Sequence, residues 1–274
     1  MHHRFFLMGV LLLAGCGGAS ASGTTPTTPS AEATADPLRA AIDAPHRTEE
    51  MRARDRYRHP YETLSFFGVQ PTSRVVELWP GGGWYTSILG PYLREEGHLT
   101  AVAARNRYLQ GFLDFVAANP ELYDQVEVVQ IEPADGTPLS FGPDGSADFV
   151  LTFRNYHSWM NGSYEDEVLA AAFRVLRPGG VLGIVEHRGE PGMDREAMTR
   201  TGYVPEDVVI AAAEAAGFVL DERSEINANP ADDHDHPNGV WSLPPALRGG
   251  DEGREEFLAI GESDRMTLRF RRPE

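Results

Sequence analysis

The sequence predicts an α/β fold, a mostly parallel sheet with helices on both faces. Two observations carry that prediction. Short apolar runs alternate with helix-period segments, the pattern of right-handed strand–helix–strand crossovers. The first of those runs also ends in an acid and a glycine-rich turn, the place where such sheets receive ligands. The 274 residues, 41% of them apolar, suffice for one α/β domain with appendages and exclude disorder throughout.

Taken in order, residues 1–15 read as an export leader. Arg4 is followed by the unbroken apolar run Phe5–Leu13, too short to span about 30 Å of hydrocarbon as a helix. Residues 16–36 are rich in Gly, Ser, Thr, Ala and Pro and read as a flexible tether. The folded part is expected at 37–274, opening with a helical extension over 37–59. Pro37–Ala44 and Thr48–Arg58 read as helices, the second heavily charged and so expected to face solvent. Pro60–Phe67 reads as another, with Tyr61, Leu64 and Phe67 on one side.

Seven strands are expected: Arg74–Leu78, Leu99–Ala103, Val126–Ile131, Asp148–Phe153, Val181–Glu186, Phe218–Glu225 and Met266–Phe270. Helices at Trp84–Leu93, Tyr108–Ala118, Tyr164–Leu176 and Pro205–Ala216 fall between them. No helix precedes the last strand, so it should run antiparallel. Residues 227–263 are polar, proline-rich and too long for an idle connection, which suggests an insert capping the site.

Charge and cysteine usage narrow the function. There are 24 basic and 41 acidic side chains, a net charge of −17, and every basic residue is arginine. Such a chain is a poor holder of a nucleic-acid backbone, which needs clustered positive charge. The single cysteine, Cys16, excludes an internal disulfide and a cysteine-based zinc site.

The most informative stretch is Val75-Val76-Glu77-Leu78-Trp79-Pro80-Gly81-Gly82-Gly83-Trp84-Tyr85-Thr86. Glycine there lets the backbone approach a ligand without a Cβ in the way. The stretch resembles the first motif of class I S-adenosylmethionine-dependent methyltransferases, with Glu77, Gly81 and Gly83 matching and Trp79 in place of the first glycine. Trp79 precedes a proline, so its backbone is expected to be extended. Three further stretches continue the resemblance in order: Ile131–Gly136, Phe141–Asp148, and Arg174-Val175-Leu176-Arg177-Pro178-Gly179-Gly180. The resemblance implies a Rossmann-like class I methyltransferase fold, a seven-stranded sheet with its last strand antiparallel, and S-adenosylmethionine as cofactor. It implies cofactor contacts from Glu77, Trp79, Gly81, Gly83, Tyr85, Asn155, Asp135 and Gly136, with Asp135 on the adenine amino group.

More closely, Trp79–Thr86, Arg154-Asn155-Tyr156-His157, Val185-Glu186-His187-Arg188 and Ile260–Met266 are similar to a family of exported bacterial predicted methyltransferases. Leu13-Ala14-Gly15-Cys16 resembles the lipobox of bacterial lipoproteins, which implies cleavage before Cys16, a lipid on its thiol and membrane attachment. Gly17 rather than Asp after the cysteine implies the outer membrane, with the domain on the periplasmic face. One position departs from the methyltransferase pattern. The acid that binds the ribose after the second strand is absent; Asn106 could take its place, or Arg105 and Arg107 could suit a phosphorylated ribose.

Methyl transfer from a sulfonium needs donor and acceptor held for in-line attack, and a base where the acceptor carries a proton. His157 and Trp159 are spaced like a stretch of small-molecule O-methyltransferases whose histidine is that base; otherwise His157 hydrogen-bonds a loop carbonyl. Arg154 should face the pocket mouth. Glu186, His187 and Arg188 either orient a polar acceptor or form a solvated strand end. Asp232-Asp233-His234-Asp235-His236 could bind a divalent cation, but a solvated acidic loop weighs more heavily, and no metal site is assigned. Trp241 is expected in a packed cap.

The leading reading is therefore a methyltransferase acting on a small molecule. Its rival is a non-catalytic binding module for an adenosyl or phosphorylated ligand, favoured by the missing ribose acid, by Trp79, and by export away from the cytosolic cofactor. A third reading, an NADP-dependent oxidoreductase, lacks the G-x-G-x-x-G fingerprint.

Overall fold

The computed structural model describes residues 36–133 and 137–274. The expected leader, Cys16 and nearly all of the tether lie outside the described residues, as do Asp135 and Gly136. Among the described residues, no helix is long and apolar enough to cross a membrane.

The strands are β1 (Arg74–Leu78), β2 (His98–Ala104), β3 (Val126–Ile131), β4 (Ala147–Phe153), β5 (Leu176–Gly189), β6 (Val204–Pro205), β7 (Val219–Ser224) and β8 (Arg265–Arg271). The main sheet runs in the order β3-β2-β1-β4-β5-β8-β7, and the two-residue β6 pairs with β5 off this path. The first five strands are parallel to one another. β8 is antiparallel to both β5 and β7, between which it inserts. The seven expected strands are all present, with the short β6 as an eighth.

Both faces of the sheet are covered, because successive residues of β1 serve opposite cores. Val75 packs with Leu64, Phe67, Ile88 and Leu89 on one side, while Val76 and Leu78 pack with Trp159, Leu169 and Ile210 on the other. The Pro37–Asp43, Pro60–Phe67 and Thr86–Leu93 helices form the first layer. The Tyr156–Gly162, Glu165–Val175 and Glu206–Ala215 helices form the second.

Local signals set several boundaries. Asp36 caps the first helix, accepting from Leu38 N at 3.0 Å, with Pro37 at its first position. Gly68, in a left-handed conformation, ends the Pro60–Phe67 helix. The charged stretch expected as one solvent-facing helix is instead two short ones, Glu49–Arg52 and Asp55–Arg58, and Arg58 at its end is buried. The segment expected as a solvated acidic loop turns Asp232 inward.

Candidate functional site

Strand order reverses at β1, whose neighbours β2 and β4 lead away in opposite directions, and the crevice beyond such a switch point is where open α/β sheets take ligands. A cavity of about 670 Å³ opens there, within the range of roughly 300–1,000 Å³ usual for small-molecule sites. Its floor comes from the turns after β1, β2 and β4. One wall is the Glu50–Arg58 segment; another is the stretch from Val240 to Arg248, with Trp241 in it.

The turn after β1 departs from expectation at Trp79. Its backbone is left-handed, with φ of +49°, rather than extended. The indole lies against Trp159, at 5.3 Å between ring centroids, and stacks on Tyr164. Those contacts hold a conformation that the proline alone would oppose, and they swing the ring aside so the cavity stays open. Gly81 has φ of +60°, and a Cβ on Gly81 or Gly82 would meet nothing within 4 Å; both line the cavity. Gly83 serves packing instead. A Cβ there would stand 2.6 Å from the Phe115 ring.

Glu77 is buried at the end of β1 and does not line the cavity; its Oε2 accepts from Thr86 Oγ1 at 2.6 Å. Burial pushes its carboxyl up to about 7, against the opposing pull of that hydrogen bond. Tyr85 is buried too, stacked on Phe153 with its hydroxyl donating to Arg58 O at 3.3 Å. Asn155 ties two strand ends together, donating from Nδ2 to Leu78 O at 3.0 Å, Trp79 O at 3.3 Å and Thr152 Oγ1 at 3.1 Å. Asn106 sits on the rim, its Oδ1 accepting from Tyr108 N at 2.9 Å. That turn takes up one of the two lone pairs of the amide oxygen.

His157, Arg154 and His187 all reach the cavity. Glu186, fully buried, stands behind them, which removes the reading of this strand end as solvated. Its Oε1 lies 3.0 Å from His157 Nδ1 and accepts from His187 N at 2.8 Å. The two imidazoles are 5.2 Å apart. His187 Nδ1 meets Ser263 Oγ at 2.5 Å. Burial, then the neighbouring His157, Arg154, Arg265 and Arg58, push His187 well below the ordinary histidine range, so it is neutral at pH 7.

Beside the imidazoles lies a cluster the sequence reading missed in part. Glu262 receives Arg54 Nε at 2.5 Å, Arg58 Nε at 3.1 Å and Arg265 Nη2 at 2.7 Å, with Arg154 Nη1 at 3.9 Å. Burial acts to raise Glu262, but the four guanidiniums prevail and hold it well below the usual carboxylate range. Arg154 is pushed down to about 10 by burial, partly offset by Glu262, and remains a cation near neutrality.

Among the described residues, two groups of side chains have ligand atoms close enough for a metal, His157–Glu186–His187 and Asp232–Asp233–His236. In the first, Glu186 and both imidazoles already hydrogen-bond within the protein, and the adjacent guanidiniums repel a cation. In the second, Asp232 accepts from Tyr203 Oη at 2.9 Å, Asp264 N at 2.7 Å and His234 N at 3.0 Å and meets His236 Nε2 at 2.8 Å. It is a structural hub.

Comparison with known proteins agrees with this geometry. Residues 78–184 match the family described as a methyltransferase domain. Over 172 residues, 63% of this chain, the sequence is 26% identical to the ubiquinone/menaquinone biosynthesis C-methyltransferase UbiE of Vibrio campbellii. The chain spans 58% of that relative's length. Among solved structures, an S-adenosylmethionine-dependent methyltransferase from Aquifex aeolicus is 22% identical with a TM-score of 0.51, covering 70% of this chain and 93% of its own. The [4+2]-cyclase SpnF is 19% identical with a TM-score of 0.56, covering 79% and 81%. The fold is methyltransferase-like, and the sequence matches support the S-adenosylmethionine-dependent methyltransferase superfamily. A cyclase on the same fold means that the reaction has to be argued from the site.

Proposed function

We propose that this protein transfers a methyl group from S-adenosylmethionine to a small-molecule acceptor, with His157 as the base. The observation that carries the reading is one cavity that both opens on the Gly81–Gly82 backbone and holds His157 backed by Glu186. The residues present fit the cofactor, because the glycine turn is bare where an adenosyl group would lie and Trp79 is packed aside. Trp79, Gly81, Gly82 and Asn106 would hold it. When bound, it supplies an electrophilic methyl group on a sulfonium.

The chain's own part is proton removal and orientation. The Glu186 carboxylate accepts from His157 Nδ1–H, which leaves Nε2 with the lone pair. A proton taken there makes an imidazolium whose charge Glu186 stabilises, the arrangement expected of a general base. Neutral His187 and the Arg154 guanidinium are placed to position a polar acceptor. Asn155 fixes the β1 and β4 ends relative to each other, so donor and acceptor subsites keep their spacing.

Calorimetry with S-adenosylhomocysteine tests this reading. Saturable binding that is lost in Gly82→Val supports it; no binding at millimolar ligand overturns it.

The lipobox-like Leu13–Cys16 also leads us to propose a lipid-anchored, exported protein on the periplasmic face of the outer membrane. Cys16→Ser should then release the protein from membranes, and continued detergent-dependent fractionation would contradict the anchor.

A further inference from the structure

The cavity wall has a charge opposite to that of the protein. In a chain of net charge −17, five arginines line it among the described residues (Arg54, Arg58, Arg107, Arg154 and Arg248), against one described carboxylate, Glu50, which is exposed. Three of the five belong to the cluster around Glu262. A single carboxylate cannot satisfy the four guanidiniums of that cluster. Nη2 of Arg54 and Nη2 of Arg58 are buried with no hydrogen-bond partner, and Arg154 stands beyond hydrogen-bond reach of Glu262. Arg58 is itself 2% exposed.

Unpartnered buried guanidinium donors are costly unless something negative completes them. Arginine's planar fork matches carboxylate and phosphate oxygens. The cluster also adjoins the imidazoles, since Arg265 Nε reaches Ser263 Oγ at 3.5 Å and that hydroxyl meets His187 Nδ1. Trp84, beneath the Arg58 guanidinium at 4.5 Å, supplies an apolar surface on the same wall.

We infer that Arg54, Arg58 and Arg154 form an oxyanion-binding subsite, and that the acceptor is an organic acid whose carboxylate or phosphate docks there with its apolar body along the aromatic wall. Naming this anion as the acceptor's rests on the methyltransferase reading; binding of the anion does not. The placement favours the acceptor over the donor's own carboxylate, because the cluster touches the imidazole end of the cavity and its positive field opposes a sulfonium held directly against it.

The experiment is a titration of the purified full chain with benzoate, phenyl phosphate and benzyl alcohol, each with and without saturating S-adenosylhomocysteine, read by calorimetry and tryptophan fluorescence. Either acid is expected to bind at least roughly tenfold more tightly than the alcohol, and to do so with S-adenosylhomocysteine present. Arg154→Met and Arg54→Met should each weaken the acid by roughly tenfold or more and change alcohol binding far less. Arg154 donates no hydrogen bond to Glu262, so Arg154→Met should leave the melting temperature unchanged, whereas Arg54→Met removes one partner of a buried carboxylate and should lower it while Arg58 and Arg265 still hold Glu262 in a folded chain.

Equal binding of acid and alcohol, or acid binding indifferent to both variants, overturns the subsite. Displacement of benzoate by S-adenosylhomocysteine, with Arg154→Met weakening that ligand but not 5′-methylthioadenosine, overturns its assignment to the acceptor. If benzoate binds and S-adenosylhomocysteine does not, the methyltransferase reading fails and the anion subsite stands.

Discussion

Glu186 grips His157 twice, through Oε1 at 3.0 Å from the ring Nδ1 and through Oε2 at 3.3 Å from the backbone N. One carboxylate thereby fixes both where the imidazole sits and which nitrogen carries the proton. Nitrogen-15 spectra of the neutral ring should therefore show the Nδ1–H tautomer, and Glu186→Gln should weaken that preference. With an acceptor in hand, His157→Ala is expected to lower turnover by about 10² or more with S-adenosylhomocysteine affinity retained. Rates equal to wild type would make His157 a purely structural residue.

The glycines of the turn after β1 separate binding from folding. Gly82→Val places its side chain in the open cavity and should cost at least about tenfold in S-adenosylhomocysteine affinity, with melting temperature unchanged. Gly83→Val drives its Cβ into Phe115 and places a side chain at a backbone φ of +81°, and should cost about 2 kcal/mol of stability or more. Phe115→Ala in the same chain should recover part of that loss, which thermal denaturation of the double variant would reveal.

Glu77 makes stability depend on pH. Its folded pKa, about 7, lies above the ordinary 4.5, so the folded state binds the proton more tightly than the unfolded state. The contribution is fully present below pH 4.5 and is lost as pH rises through 7. Glu77→Gln keeps an acceptor for Thr86 and removes the charge. Its melting temperature relative to wild type should climb between pH 4.5 and 7 and then level, by on the order of 3 kcal/mol in stability. A difference that stays flat across this window would contradict the burial argument.

Asp232 holds the cap. Asp232→Ala strands the Tyr203 hydroxyl and the Asp264 amide, and should destabilise the fold by about 3 kcal/mol or more. Denaturant unfolding measures this directly, and a loss below about 1 kcal/mol would return the segment to the solvated loop expected from its composition.

The strands and the glycine turn were legible because a parallel sheet buried on both faces writes continuous apolar runs into β1, β2, β4 and β5. Three seven-residue helices were not. Tyr156–Gly162 does carry a signal, since Tyr156, Trp159 and Met160 share the spacing of one helical face, but it is too short to stand out from a loop. Arg195–Thr201 is announced by Asp194 as its cap and Gly202 at its end, with little apolar periodicity between them. Arg254–Ile260 has no buried residue to pattern it. The arginine cluster failed for a different reason. Arg54 and Arg58 sit in a charged stretch that reads as a solvated face, and the carboxylate that draws them inward lies 208 and 204 residues away. No local window holds both partners.

That same separation dictates when the pocket comes into being. Glu262 and the strand that wedges between β5 and β7 are synthesised more than 200 residues after Arg54 and Arg58. A chain threaded amino end first across any barrier thus carries an unfinished cleft until Glu262 arrives. Wherever Glu262 is delivered is where this cleft first closes.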